Sequence, residues 1–341
     1  MVADRAHLLE LIRGYRVSQA IYVVTRLGIP DLLADGPRNV DELARATDAH
    51  PMSLRRLLSF LVAVGVLDQV APGRVALTPM AATLRTGVPG SVRSAVLFLL
   101  DESHWRPWGH LLHSVRTGET AFHHTHGMDL FDYLAAHPAA ATLFNEGMAG
   151  NSPAHARLVA TTYDFSRADL VVDVAGGRGR LLATILEQYP RLRGILFEQP
   201  QVIGGARQLL EESEVSDRCD FVGGSFFDAV PPGGDVYVLR NIIHDWQDDE
   251  AIAILTTCGR AMTGRARLVL VEREIATDPR AALVVHHSDL EMLVNVGGRE
   301  RTTAEYSALL RSSGLRVTRT ISLGSAAEAM GHQLIEAQLD S

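Results

Sequence analysis

With 341 residues, 47% of them apolar, the chain is long enough for two domains and a large core. A formal net charge of −8 argues against a protein that binds nucleic acid as a whole, and no run of about 18 apolar residues predicts a membrane span. The N-terminus lacks the pattern of a secretion signal, and Cys219 and Cys258 are too few for a disulfide framework. We therefore expect a cytoplasmic protein.

The first domain is predicted to span residues 1–100 and to be mostly helical. Helix-period apolar residues run through 7–27, and further helices are predicted at 40–46, with Asn39 or Asp41 as N-cap, and at 51–66. Residues 67–77 read as two short strands around a Pro-Gly turn. Two helices followed by a hairpin indicate a winged-helix arrangement.

The predicted helix 51–66 bears on whether the domain binds DNA. It carries Arg55 and Arg56, but its remaining residues are apolar nearly all round, whereas a helix that reads a DNA groove needs a polar face. Internal packing or a subunit interface is therefore favoured. Since the first 100 residues carry 11 Arg against 8 acids, a regulator that senses a cofactor stays open as an alternative.

Residues 101–165 are predicted to form a helical connector that lines a substrate pocket, and residues 166–341 alternate strands with helices. Such alternation indicates a doubly wound, mainly parallel α/β sheet with helices on both faces. The predicted segments are 170–174, 181–189, 194–197, 202–212, 219–222, 236–239, 248–261, 266–271, 303–313 and 315–322.

A glycine-rich loop follows the first of these strands. The strand ends at Asp173, and Gly176, Gly177 and Gly179 lead into a helix, a typical nucleotide-binding entry. The dinucleotide motif G-x-G-x-x-G would need a third glycine where Leu182 stands. An aspartate beside the turn would repel a pyrophosphate but can hold an ammonium group, so a ligand with an amino-acid moiety is favoured.

The second strand supplies the other half of this prediction. It ends at Glu198, 19 residues after Gly179, where an acid can accept hydrogen bonds from both ribose hydroxyls. An adenosine ribose together with an amino acid indicates S-adenosylmethionine as the cofactor.

Further motifs carry a resemblance to a known family. The chain resembles the small-molecule O-methyltransferases of the plant caffeate and acetylserotonin type, which also occur in bacterial natural-product pathways. The matching blocks are 144–152 (FNEGMAGNS), 173–182, 197–200 (FEQP), 224–227 (GSFF), 239–246 (LRNIIHDW) and 297–302 (GGRERT). The resemblance implies a Rossmann-like methyltransferase domain and an N-terminal domain that forms an intertwined homodimer.

The resemblance also implies a set of cofactor-binding residues. Asp173 and the glycine loop lie near the methionine end, Glu198 holds the ribose, and Phe226 packs on adenine. Ala175 replaces a frequent glycine, which is tolerable if its φ is negative, and Ser225 replaces a frequent Asp. The implied set is Ser152, Asp173, Gly176, Gly177, Gly179, Glu198, Gln199, Gly224, Ser225, Phe226, Phe227 and Arg240.

His244 is the candidate general base. It follows the strand 236–239 at the sheet edge where ligands bind, and a histidine suits proton transfer near neutral pH because its pKa lies close to the working pH. The alternative is a core or capping histidine that starts the helix near Asp248. The resemblance implies that Glu272 and Glu300 orient the base, although Glu300 could instead be a surface partner of Arg299 or Arg301.

The acceptor site is implied by residues close to these motifs, namely Trp108, Phe144, Asn145, Met148, Asp289, Met292, Leu293 and Asn295. The histidines at 123, 124 and 126 suggest a metal, but no carboxylate–histidine spacing completes a site and the family uses none. We therefore expect no metal, and no nucleic-acid or membrane partner.

Together these observations predict an S-adenosylmethionine-dependent O-methyltransferase that acts on a phenolic or enolic hydroxyl of an aromatic secondary metabolite, as in antibiotic biosynthesis. Two alternatives remain. Some members of the family have become hydroxylases, decarboxylases or cyclases on the same fold, and the winged-helix regulator belongs to a different class.

Overall fold

A computed structural model describes residues 2–150, 153–275, 283–324 and 330–340. The helices are α1 Val2–Arg26, α2 Ile29–Leu32, α3 Val40–Ala46, α4 Pro51–Ala63, α5 Pro79–Ala82, α6 Arg93–Leu99, α7 Glu102–Trp105, α8 Leu111–Thr117, α9 Ala121–His126, α10 Leu130–Ala136, α11 Pro138–Gly150, α12 Pro153–Thr162, α13 Arg180–Gln188, α14 Pro200–Glu212, α15 Asp248–Ala261, α16 Leu283–Glu291 and α17 Thr303–Ser312. The strands are β1 Arg38–Asn39, β2 Leu67–Ala71, β3 Arg74–Leu77, β4 Leu170–Val174, β5 Arg193–Glu198, β6 Cys219–Gly223, β7 Val236–Arg240, β8 Arg267–Arg273, β9 Leu315–Ser322 and β10 His332–Leu339.

The chain divides into two compact units. One comprises residues 2–105 and 139–150, and the other comprises residues 106–138 and the described residues from 153 onward. The segment 101–165 thus contributes to both units, and the sequence-derived boundaries at residues 100 and 165 stay predictions. No helix in the described parts of the chain is long and apolar enough to cross a membrane.

The first unit has the predicted pair of helices and hairpin. The side chain of Asn39 caps α3 by accepting a hydrogen bond from the Asp41 amide at 2.8 Å, as expected of an N-cap. The three short strands form an antiparallel sheet in the order β1-β3-β2. Leu43, Leu58 and Leu61 are fully buried in the core that joins this sheet to α3 and α4.

The second unit is built around a seven-stranded sheet in the order β6-β5-β4-β7-β8-β10-β9. The five strands from β6 to β8 are parallel, and β10 runs antiparallel to both of its neighbours. The predicted fold class is confirmed. The predicted segments omit β10, although its side chains are buried along most of its length.

Both faces of this sheet are covered. Successive side chains of a strand point to opposite faces, so Val171 packs into one apolar cluster with Leu182 and Leu196, whereas Val172 packs into the other with Leu268. Because the central strands are parallel, their carboxyl ends meet at one edge. Asp173, Glu198, Arg240 and Glu272 all lie at or near that edge.

Candidate active site

The glycine loop after β4 is closely packed on its own strand ends. A Cβ atom on Gly176 would lie 2.5 Å from Oδ2 of Asp173 and 2.5 Å from Cδ1 of Leu196, so only glycine fits there. Gly179, with φ +76°, precedes α13 as its N-cap. Ala175 has φ +55°, so the condition under which an alanine is tolerated there, a negative φ, is not met. This left-handed conformation costs a non-glycine residue about 1–2 kcal/mol.

Asp173 is buried beneath this loop. Its side chain is 1% exposed, and in the described residues Oδ2 has no hydrogen-bond partner. Burial raises the pKa of Asp173 to about 7, with Arg240 opposing and Glu198 reinforcing the shift. The pKa of Arg240 is lowered by burial, and the charge of Asp173 counteracts this effect. A buried carboxylate oxygen without a donor fits a cationic group of a ligand.

Glu198 ties the glycine loop to the end of β5. Its Oε2 accepts a hydrogen bond from the Gly177 amide at 2.9 Å, and its Oε1 accepts one from the Gln199 amide at 2.7 Å. Burial raises the pKa of Glu198, and these two amide bonds oppose the rise. The second-strand acid and the first-strand loop therefore form one connected site.

An aromatic group follows β6. Gly224 packs so closely that a Cβ atom would lie 2.8 Å from the Phe197 ring. The Phe227 ring lies 4.9 Å from that of Phe226 and 4.9 Å from that of Trp246, centroid to centroid. The Ser225 hydroxyl accepts from the Phe227 amide at 3.2 Å and so holds this turn. The sequence motif contains Trp246, but the predicted site residues do not include it.

His244 lies in a short 3-10 turn, Ile243–Asp245, beyond the end of β7. The imidazole is 5% exposed, and its Nδ1 lies 2.9 Å from Oε1 of Glu300. It does not start the following helix, because Gln247 is the N-cap of α15. The interpretation of His244 as a capping residue is therefore wrong.

The two predicted orienting acids have different contacts. Glu300 is 1% exposed and touches the imidazole directly, so it is not a surface partner of an arginine. Glu272 is fully buried, and its Oε2 lies 3.9 Å from Nδ1 of His244. The other oxygen of Glu272 accepts hydrogen bonds from the amides of Ile242 and Ile243 at 3.0 and 2.8 Å. Glu300 thus holds the ring, while Glu272 holds the backbone that carries it.

The charges around His244 determine its protonation. Burial disfavours the imidazolium, but the carboxylates of Glu300, Asp245 and Glu272 outweigh burial and raise the pKa of His244 to about 9. Burial raises the pKa of Glu272 to about 7 and that of Asp245 to about 6. Asp245 Oδ1 lies 3.3 Å from Nε2, the ring nitrogen on the side away from Glu300.

Sequence reasoning missed two partners of Glu300. Ser288 donates its hydroxyl to Oε1 of Glu300 at 2.6 Å, and Arg273 donates to the same oxygen at 3.4 Å. Burial disfavours the charged form of Glu300, yet His244, Arg273 and Ser288 together lower its pKa. Arg273 directly follows Glu272 at the carboxyl end of β8. Two charged residues in succession after an apolar strand are the sequence signal that could have indicated Arg273 as a site residue.

The predicted acceptor residues fall in both units. In the second unit, the Asp289 side chain accepts a hydrogen bond from the Glu300 amide at 3.0 Å. Asn295 lies in a π-helical turn, Met292–Val296, and its side chain donates to that of Glu291 at 2.8 Å. Met292 and Asn295 are buried, and Leu293 and Trp108 are half-buried. Phe144, Asn145 and Met148 lie on α11 in the first unit, where the Phe144 ring packs edge-on to Phe98. Ser152 lies outside the described residues.

The histidine-rich segment has local partners. Nδ1 of His123 lies 2.9 Å from Asp129, and the rings of His113 and His124 stack at 4.2 Å. Within the described ranges no three histidine, cysteine or acidic side chains are grouped so as to hold a metal ion.

Comparison with protein families assigns both parts of the chain. The sequence model of the O-methyltransferase domain matches residues 108–316, and that of the O-methyltransferase dimerisation domain matches residues 9–87. The chain belongs to the O-methyltransferase family.

Relatives of this O-methyltransferase cover nearly its full length. Phenazine O-methyltransferase PhzM of Lysobacter antibioticus is 42% identical over 331 residues, which cover 97% of this chain and 95% of the relative. An 8-amino-8-demethylriboflavin N,N-dimethyltransferase of Streptomyces davaonensis is 36% identical over 306 residues, 89% of this chain and 87% of the relative. The family therefore includes enzymes that methylate nitrogen.

Solved structures agree with this assignment. Mitomycin 7-O-methyltransferase MmcR has a TM-score of 0.94 and 39% identity, covering 99% of this O-methyltransferase and 98% of that chain. NcsB1 from neocarzinostatin biosynthesis, solved with S-adenosylmethionine and 2-hydroxy-5-methyl naphthoic acid, has a TM-score of 0.81 and 30% identity, covering 95% and 96% of the two chains. The predicted enzyme class and cofactor, an S-adenosylmethionine-dependent O-methyltransferase, are confirmed.

Proposed function

We propose that this O-methyltransferase transfers a methyl group to a phenolic or enolic hydroxyl of an aromatic secondary metabolite, with His244 as the general base. The observation that carries the proposal is the buried imidazole whose Nδ1 lies 2.9 Å from Glu300 at the carboxyl edge of the sheet. A phenol has an unperturbed pKa of about 10, so a base is needed to remove its proton at neutral pH.

The cofactor site is assigned to the edge formed by β4, β5 and β6. Asp173 fits the ammonium group of the methionine moiety, because its Oδ2 is buried and has no donor in the described residues. Glu198 would accept hydrogen bonds from the ribose hydroxyls, and Phe226 would pack on the adenine. Bound S-adenosylmethionine supplies a methyl group already activated by a positively charged sulfur.

His244 accepts the proton, and the residues around it position the imidazole. Glu300 engages Nδ1 and so fixes which ring nitrogen carries the resident proton, which leaves Nε2 to accept the proton of the acceptor hydroxyl. Glu272 restrains the backbone of the turn through the Ile242 and Ile243 amides. Once the imidazolium forms, the two carboxylates stabilise its charge.

The raised pKa of His244 places a condition on this mechanism. With a pKa of about 9, most of the cofactor-free imidazole is protonated at neutral pH, and only its small neutral fraction can act as a base. A cation bound nearby disfavours the imidazolium, so the pKa of His244 falls when the positively charged cofactor binds. The fraction of His244 that can accept a proton is therefore larger in the complex that also contains the methyl donor.

The acceptor class is inferred from the relatives. The names or bound ligands of the relatives concern phenazine, mitomycin and naphthoate compounds, which favours a polycyclic or substituted aromatic acceptor. Methylation of an aromatic amine is a second candidate, because a relative 36% identical to this chain is an N,N-dimethyltransferase.

We further propose that the enzyme is a homodimer formed through its N-terminal domain and that it is cytoplasmic. Leu8, Leu11, Ile12 and Tyr15 are 50–64% exposed and lie on one face of α1. Further along α1, an apolar groove of about 430 Å³ is lined by residues of α1 and α4. Arg55 on α4 pairs with Asp41 at 2.8 Å, whereas Met52 and Phe60 are exposed, which favours protein contact over DNA binding.

The decisive experiment is a mass-spectrometric screen. The enzyme is incubated with S-adenosylmethionine and hydroxylated phenazines, hydroxynaphthoic acids and hydroxyquinones, each paired with its amino analogue. A mass gain of one methyl group on the hydroxyl member, with S-adenosylhomocysteine formed in equal amount, supports the proposal. Methylation of the amines alone favours the second candidate, and an altered acceptor without a methyl group favours a hydroxylase, decarboxylase or cyclase. A DNA gel shift at low salt tests the regulator alternative.

A further inference from the structure

The segment 297–302 lies directly against the backbone of the turn that carries His244. A Cβ atom on Gly298 would lie 2.0 Å from the carbonyl oxygen of His244 and 2.4 Å from the carbonyl carbon of Asp245. No side chain fits in this space, so only glycine allows the two backbones to approach so closely. The side chain of Gln247 also donates to the carbonyl of Gly297.

Arg301 reaches from this segment to both ends of the turn. Its guanidinium is fully buried and donates to the carbonyl of Ile243 at 2.9 Å and to that of Trp246 at 2.7 Å. These two carbonyls flank His244 on either side. A planar guanidinium with five fixed donors can hold two such acceptors at once, whereas an ammonium group acts as a single point charge.

The position of Arg301 is itself fixed. Asp248 accepts from its Nε at 3.1 Å and from a terminal nitrogen at 2.7 Å, which supplies the negative charge that a buried guanidinium requires. The backbone carbonyl of Arg301 accepts from the Ile275 amide at 3.1 Å, just beyond the end of β8. The guanidinium is therefore anchored at its tip and at its backbone.

We infer that Arg301 is a positioning residue for His244, holding the carbonyls of the turn so that the imidazole stays against Glu300. The inference rests on the proposed role of His244 as the base. Adjacent residues of one segment thus control the same side chain, since Glu300 fixes the ring and Arg301 fixes the backbone that presents it. A displacement of about 1 Å at a reacting group can reduce the rate on the order of 10²-fold.

The test compares Arg301→Lys and Arg301→Gln with Arg299→Gln as a matched control. Arg299 also contacts Asp248 and lies two residues away, but its side chain is 39% exposed and makes no contact with the turn among the hydrogen bonds and ion pairs of the described residues. Turnover is measured with the best acceptor of the screen, cofactor affinity by calorimetry with S-adenosylmethionine, and the Nδ1 proton of His244 by NMR, assigned by its loss in His244→Ala.

We expect both Arg301 variants to lower kcat by about 10- to 100-fold, to change the cofactor Kd by less than about 3-fold, and to broaden or abolish the Nδ1 proton signal. Arg299→Gln should keep the signal and most of the turnover. An unchanged kcat and an unchanged signal in Arg301→Lys would overturn the inference.

Two other outcomes, misfolding of the Arg301 variants and a dispensable His244, can be distinguished from failure of the inference. If both Arg301 variants fail to fold, Asp248→Asn loosens the guanidinium without removing it, and it must then lower kcat and broaden the signal in the same direction for the inference to stand. If His244→Ala keeps full activity, the proposed base is wrong, and the NMR signal still reports whether Arg301 holds the turn.

Discussion

Two regions at the same edge of the sheet use buried acids in opposite ways. Under the glycine loop, Asp173 is buried with an oxygen that has no donor within the described residues, and Gly176 packs directly against its side chain. Around His244, by contrast, Glu300 and Glu272 contact the imidazole and the turn that carries it. In the proposed function, the first region receives the positive charge of the cofactor, and the second accepts and releases a proton.

The largest expected effect separates these two tasks. His244→Ala should lower methyl transfer by about 10²- to 10⁴-fold, the usual contribution of a general base, without weakening the binding of S-adenosylmethionine. Turnover and calorimetry measure the two quantities. An unchanged rate would show that orientation of the donor and acceptor suffices without a base.

The converse change should affect binding. Asp173→Asn removes the charge under the glycine loop, so we expect cofactor affinity to fall by about 10- to 100-fold, as for a lost hydrogen bond to a charged group. Glu198→Gln should weaken binding in the same direction. Asp220→Asn, at an exposed pair with Arg193, is the matched control. If neither Asp173→Asn nor Glu198→Gln alters the calorimetric Kd, the cofactor site is misplaced.

The same aspartate gives a pH-dependent prediction for stability. The pKa of Asp173 is raised from its ordinary value of 3.8 to about 7 in the folded chain, so its contribution to stability is present below pH 4 and is lost as pH rises through 7. Asp173→Asn should therefore melt at a higher temperature than the wild type at pH 8 but not at pH 4. A wild-type pH profile in this variant would contradict the assignment.

The charge of a cofactor bound in the first region should change the pKa of His244 in the second. The pKa of His244, about 9 in the free chain, should fall by roughly one unit when S-adenosylmethionine binds, because the sulfonium repels the imidazolium. S-adenosylhomocysteine, which lacks that charge, should lower it less. NMR titration of the His244 ring with each ligand measures the difference, and equal shifts would exclude the electrostatic explanation.

The smallest effect concerns the backbone of the loop. Ala175→Gly should increase the free energy of unfolding by about 1 kcal/mol, since glycine adopts φ +55° without strain. Chemical denaturation measures the change, and turnover should stay near the wild-type value. A loss of stability would mean that the methyl group of Ala175 contributes more by packing than its conformation costs.

Much of the fold was predictable because local patterns and tertiary structure agree. The predicted strand 170–174 and helix 248–261 have the observed bounds, since apolar runs and end signals coincide there. β10 is not predicted because its sequence does not alternate between apolar and polar residues as a half-exposed strand does. The strand lies between two others and is buried on both faces, and its buried part includes the polar residues Gln333 and Glu336.

In the site, the sequence indicated which residues meet but not what each one contacts. His244, Glu272 and Glu300 lie together, yet the resemblance alone could not show that Glu300 touches the ring and Glu272 the backbone. The sequence suggests Arg301 only as a surface partner of Glu300, because a charged residue in a polar stretch is usually exposed. Its complete burial depends on the turn it faces, a contact that spans 58 residues of sequence.

The placement of β10 has a consequence for how the enzyme is made. β10 pairs with β8 from His332↔Arg273 to Ala337↔Leu268 and with β9 on its other side. The seven-stranded sheet is therefore complete only after residues 332–339 have left the ribosome. Until then the apolar edge of β8 has no strand beside it, and such an edge invites pairing with other chains. A stalled or truncated nascent chain that ends before β10 should therefore be an aggregation-prone species.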